Sequence, residues 1–105
     1  ILMFSFFYIT AGSNSEAQRI AKILLKKNLV ACVNIYKNID SFYVWKKKIN
    51  KSKEVILMGK TIKKNQNSII KQIKKNHSYD LPCIIFSNIS SGNKDFLNWV
   101  KKTLK

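Results

Sequence analysis

Leu29-Val30-Ala31-Cys32-Val33-Asn34-Ile35-Tyr36 is followed by Ile39-Asp40-Ser41-Phe42-Tyr43-Val44-Trp45. After a lysine-rich stretch comes Val55-Ile56-Leu57-Met58, closed by Lys60-Thr61. These three runs decide the fold. Each is rich in β-branched and aromatic residues and reads as a strand. The first and third are apolar on consecutive residues, so both of their faces must be covered. In so short a chain one cover is its own helices, and the other has to come from another subunit. Lys37-Asn38 marks a bulge or bend between the first two runs. Lys46 to Lys53 holds five lysines with Asn50 and Ser52, and reads as the solvated tip of a hairpin whose charges guard a strand edge.

Working outward, Met3 to Thr10 reads as a buried strand broken by Ala11-Gly12. Ser13 and Glu16 form a capping-box pattern that starts a helix. Ala17, Ile20, Ala21 and Leu24 fall on its inner face, and Lys26, Lys27 and Asn28 suit its C-terminus. On the other side, Thr61 is placed to cap a second helix, with Ile62, Gln66, Ile69, Ile70, Ile73 and His77 on one face. Pro82 cannot belong to that helix and holds Leu81 extended. A last strand runs from Cys83 to Ile89. Ser90-Ser91-Gly92 turns the chain into a short final helix, capped by Asn93 or Asp95, that carries Phe96, Leu97, Trp99, Val100 and Leu104.

The order of elements is that of an α+β, ferredoxin-like split β-α-β fold (βαββαβ). Residues 1–105 form a single domain. Right-handed crossovers place both main helices on one face of a four-stranded antiparallel sheet, with the short C-terminal helix in addition. The opposite face keeps an apolar patch too large for a monomer, and closed symmetric association is the usual remedy.

The chain has 105 residues and a net charge of +15. Such a charge attracts nucleic acid, phosphorylated ligands or acidic membranes. Yet all but one of the basic residues are Lys, whereas phosphate readers favour the bidentate fork of Arg. Drift in composition toward Lys, Asn and Ile is the preferred reading. Cys32 and Cys83 are far apart, in no CxxC pattern, and read as small buried hydrophobes in a reduced, cytoplasmic setting. The apolar run from Ile1 to Ile9 is too short to span a bilayer and lacks the flanks of a signal peptide, so no membrane partner is expected.

The residues that could carry chemistry are few. His77 is the sole histidine, either a metal ligand or proton carrier or a ring packed at a helix end, and the second is preferred. Tyr43 and Trp45 beside lysines could stack on single-stranded nucleic acid, but read better as interface anchors. Lys60, between a strand and a helix, is equally an anion ligand or a solvated strand end. There is no nucleophile elbow, no Gly-rich phosphate loop and no HExxH, so no enzyme is expected.

Several stretches occur together in order: Thr10-Ala11 before a capped helix, Leu29 to Asn34, Ser41-Phe42-Tyr43-Val44-Trp45, Glu54-Val55 leading to Lys60-Thr61, His77-Ser78-Tyr79-Asp80-Leu81-Pro82, and Asp95-Phe96-Leu97-Asn98-Trp99. In this combination the chain resembles the CutA divalent-cation tolerance family over nearly its whole length. The resemblance implies a tight homotrimer similar in build to the PII signalling proteins, in a cytoplasmic setting. It also implies a role in tolerance of copper and other divalent metals, or in small-ligand sensing. Of the two adjacent histidines some members carry, His77 matches one and Asn76 replaces the other, which leaves His77 as the one candidate metal ligand. By the same likeness Tyr43, Trp45, Glu54, Lys60, His77, Tyr79 and Asp80 would line a ligand cleft between subunits, for a metal ion or a small anionic ligand. The reading that follows is a trimeric, non-enzymatic binding protein. The alternative is a basic nucleic-acid-binding module using the Lys46–Lys53 tip.

Overall fold

The computed structural model describes residues 2–104; Ile1, which opens the apolar N-terminal run, and Lys105 lie outside the described residues. The elements are β1 (Phe4–Ala11), α1 (Asn14–Lys26), β2 (Cys32–Trp45), β3 (Lys48–Ile62), a 3-10 turn (Lys63–Asn65), α2 (Gln66–Asn76), β4 (Ile84–Asn88) and α3 (Lys94–Thr103). The strands form one antiparallel sheet in the order β2-β3-β1-β4. Each helical crossover skips one strand, which is the split β-α-β arrangement the sequence implies.

Strand alternation divides the sheet into two faces. Phe7, Ile9 and Ala11 of β1 and Val55 and Leu57 of β3 are buried against Ala17, Ile20, Ala21 and Leu24 of α1 and Ile69 and Ile73 of α2. The start of α1 is fixed by Ser13, whose Oγ accepts the Glu16 N–H at 3.2 Å. Its end is fixed by Asn28, left-handed at φ 58. There the Asn28 N–H reaches the Leu25 carbonyl and the Leu29 N–H reaches the Leu24 carbonyl, so the last carbonyls of the helix are satisfied.

The opposite face is covered at one end only. Phe4 and Ile62, paired across β1 and β3, pack under Val100 of α3 and Leu104 just after it. Beyond them Phe6, Tyr8, Ile56 and Met58 are half-buried, and Tyr36 and Ile85 are exposed. This is the uncovered apolar face expected from the doubly apolar strands.

Two expectations about the elements need correcting, and one, the bulge at Lys37-Asn38, is met. The stretch Lys46–Lys53 is not a long hairpin tip. The turn is Lys46-Lys47 alone, both left-handed (φ 51 and 63), and β3 already starts at Lys48, opposite Trp45. Its polar residues are strand residues because their backbone pairs with β2, a constraint side-chain polarity does not reveal. The two runs before it are one strand, β2, with a bulge between Tyr36 and Ile39 at which Asn38 takes φ 58. Finally, Thr61 does not cap α2. It is a buried residue of β3 whose hydroxyl donates to the Leu29 carbonyl at 2.6 Å, and α2 starts later, after the 3-10 turn.

One consequence shapes the molecule. β1 pairs with β3 only from Val55 to Ile62, so Ile39–Trp45 and Lys48–Glu54 extend beyond the sheet as a two-stranded arm. The arm helps make the chain 44 Å long against 25 and 23 Å across.

Candidate functional site

Where the arm leaves the sheet there is a hollow of about 550 Å³. The arm contributes Tyr43, Val44, Trp45, Ser52 and Glu54; the end of β1 contributes Thr10; the loop between α2 and β4 contributes Tyr79, Leu81 and Cys83. Tyr43, Trp45, Ser52 and Glu54 share one face of the arm because they fall at alternate positions of two strands paired Tyr43 to Asn50 and Ser41 to Ser52.

Three side chains hold the loop in place. Glu16 is buried, and its Oε1 accepts the Gly12 N–H at 2.9 Å while its Oε2 accepts the Ser78 N–H at 2.7 Å. Burial alone would raise this carboxyl. The N–H of Gly12, the groups of Ser78 and the nearby His77 outweigh it and hold Glu16 below its ordinary value. His77 ends α2. Its Nδ1 accepts the Tyr79 N–H at 3.0 Å, so Nε2 carries the proton and donates to the Thr10 carbonyl at 2.7 Å. Tyr79 packs edge-on against His77 at 4.7 Å and donates its hydroxyl to Glu54 Oε2 at 2.9 Å. Burial, the bond to Glu54 and the charges of Glu54 and Glu16 push the Tyr79 hydroxyl up to about 12. Burial, then the charge of Glu54, pushes the Cys83 thiol up as well.

Of the residues expected to share a cleft, the structure brings together Tyr43, Trp45, Glu54 and Tyr79. His77 stands behind Tyr79, with both ring nitrogens already hydrogen-bonded. Asp80 follows Tyr79 on the exposed loop and does not line the hollow. Lys60 lies elsewhere, on the uncovered face beside Phe6 and Met58, with its Nζ donating to Asn34 Oδ1 at 3.1 Å. Sequence reasoning missed Thr10, Val44, Ser52, Leu81 and Cys83 as lining residues and read Glu16 only as a cap. Ser52 lies in the stretch read as a loop, so its place beside Tyr43 follows only from the β2–β3 pairing, and nothing local signals the second job of Glu16.

Cys32 and Cys83 are both free thiols. Cys32 pairs with Lys60, in the row of Phe6, while Cys83 precedes Ile84, which pairs with Ile9. The rows are several residues of β1 apart, on the order of 10 Å. Among the described residues no group of three His, Cys, Asp or Glu side chains could hold a metal ion. The lysines of the arm do not form one surface. Lys53 pairs with Asp40 at 2.7 Å, Lys51 lies over the Phe42 ring at 5.7 Å, and Lys48 falls on the opposite strand face.

Residues 5–103 match the family described as CutA1 divalent ion tolerance protein. The chain belongs to this family. A CutA divalent-cation tolerance protein of Archaeoglobus fulgidus is 44% identical over 98% of this chain and all of its own length. Its solved structure, titled a periplasmic divalent cation tolerance protein, superposes with a TM-score of 0.94. CutA1 of Oryza sativa is 31% identical with a TM-score of 0.95, covering 99% of this chain and 95% of that one. The CutA1 protein of Thermus thermophilus, also 31% identical, gives 0.94 over 98% of this chain and all of its own. Several of these relatives are named for tolerance to divalent cations.

Proposed function

We propose that the chain acts as a homotrimeric, non-enzymatic binding protein in tolerance of divalent metal ions, copper among them, or in sensing a small ligand at the base of the arm. The observation that carries this reading is the arm. A two-stranded ribbon alone is at best marginal in water. This one leaves Phe42, Val44 and Ile49 exposed at 66%, 72% and 81%. Association with further copies would cover these side chains together with the bare sheet face, and would wall in the hollow, which is open on one subunit. A PII-like assembly and a cytoplasmic setting belong to the same proposal, the latter supported by two free thiols.

The metal donors of one subunit do not fit tight copper binding: both nitrogens of His77 are engaged and the two thiols stand apart. A tight site would need a donor from a second copy. Nothing in the structure or the relatives favours the nucleic-acid alternative, since the arm lysines are divided between two faces and partly paired. Native mass spectrometry, with and without added copper, tests the proposal. A trimer that gains copper and loses that gain in His77→Ala supports the metal role. A trimer that takes up none moves the function to the hollow. A monomer at micromolar concentration overturns the assembly.

A further inference from the structure

The charge around the hollow is opposite to that of the chain. The chain carries +15 with five acidic residues. Three of them gather at one loop: Glu54 is bonded to the Tyr79 hydroxyl, Glu16 holds Ser78, and Asp80 follows Tyr79. Among the described residues lining the hollow Glu54 is the charged one; Lys48, paired with Trp45 on the same face, stands exposed at the arm's tip and does not line it. An anion there would face an uncompensated carboxylate. The remaining walls are mostly apolar and include the rings of Tyr43, Trp45 and Tyr79. Aromatic faces attract cations through their quadrupole, most strongly where water is displaced. A hard metal ion would find too few oxygen donors here. An organic cation needs none, because it is held by ring faces and a carboxylate.

We propose that the hollow takes a small organic ammonium ion, held by the rings of Tyr43, Trp45 and Tyr79 and neutralised by Glu54. The proposal rests on the reading of the hollow as a binding site. Its volume of about 550 Å³ lies within the range of small-molecule sites. The high pKa of Tyr79 agrees with it, since that hydroxyl stays protonated and hydrogen-bonded to Glu54 at neutral pH.

The test is a titration of the assembled protein with tetramethylammonium chloride, followed by the indole N–H signals of Trp45 and Trp99. Trp45→Phe assigns the two signals, and tert-butanol serves as a neutral probe of similar size. The expected result is a saturable shift of the Trp45 signal by the cation alone. Glu54→Gln keeps an acceptor for Tyr79 and should weaken the cation about tenfold, the loss of one favourable charge contact. An equal response to tert-butanol would reduce the hollow to an apolar dent and overturn the proposal. So would an unchanged affinity in Glu54→Gln. A silent Trp45 signal in an intact trimer would also overturn it, for instance where a neighbouring copy fills the hollow, and would leave the assembly standing. A monomer in the mass spectrum strikes the parent reading instead, so the two failures are distinguishable.

Discussion

Replacing Glu16 by Gln isolates the contact that holds the site loop to the rest of the fold. The carboxylate takes two backbone N–H groups, from Gly12 at 2.9 Å and Ser78 at 2.7 Å, and is itself buried. Glutamine matches its shape but has one oxygen. Its amide nitrogen must face the second N–H, donor against donor. One N–H then loses its partner, at about 1–3 kcal/mol, and the surviving bond loses its charge assistance, at about 1 kcal/mol. The expected destabilisation is roughly 2–4 kcal/mol, read from denaturant midpoints at equal protomer concentration, since association adds to apparent stability. Hydrogen exchange should accelerate at Ser78 and Tyr79 and stay unchanged at the centre of β1. The pH dependence has a definite sign. Because the folded state holds Glu16 below its ordinary value, its contribution is present above the ordinary value and lost as pH falls through the lower folded one. Glu16→Gln should therefore flatten the acid limb of the stability profile below about pH 5. A change under about 0.5 kcal/mol with an unaltered acid limb would refute the assignment of Glu16 as the anchor.

Three further outcomes follow from local geometry. A Cβ at Gly59 would overlap the Cys32 carbonyl oxygen and the Phe7 ring, so Gly59→Ala should cost about 3 kcal/mol or more, or leave no soluble protein, as judged by yield and thermal unfolding. Lys46 and Lys47 form a two-residue hairpin turn with both φ angles positive, so the double change Lys46→Asn, Lys47→Gly should stabilise by about 1 kcal/mol in denaturant unfolding. Thr61→Val removes a 2.6 Å bond to the Leu29 carbonyl, but that oxygen also accepts from Asn65 Nδ2 at 3.1 Å; the loss should be only about 1 kcal/mol in the same assay.

Where local chemistry dictates structure, the sequence is readable. Ser13 and Glu16 mark the start of α1, Asn28 marks its end, and Lys37-Asn38 marks the bulge, because each depends on a side chain or a backbone angle within a few residues. The start of β3 at Lys48 is not readable in the same way. Its lysines and asparagine look like a loop until the partner strand supplies the backbone bonds. Thr61 misleads for a similar reason: a threonine before a helical pattern resembles a cap, whereas the Leu29 carbonyl, remote in sequence, claims its hydroxyl. Of the seven residues expected in the cleft, Tyr43, Trp45, Glu54 and Tyr79, which belong to the matching stretches, do lie together at the hollow. The separation of Lys60 was not legible. It follows from the β2–β3 register, which places Lys60 opposite Cys32, far along the sheet from the arm.

In the proposed assembly, the way the hollow is built would couple association to binding. One wall is the arm; the other is the end of β1 and the Tyr79 loop. The bond from the Tyr79 hydroxyl to Glu54, at 2.9 Å, joins loop to arm. On a single subunit the arm beyond Glu54 pairs only with itself, and the bulge near Asn38 lies at its base. Association that covers Phe42, Val44 and Ile49 would fix the arm's angle to the sheet and with it the distance from the rings of Tyr43 and Trp45 to Tyr79. The linkage is reciprocal: whatever occupies the hollow and favours the closed spacing must favour the assembled state by the same free energy. The Glu54–Tyr79 contact is where this coupling should be concentrated. In Tyr79→Phe, which keeps the ring and removes the bond, a hollow ligand should stabilise the assembly less than it does in the unaltered protein.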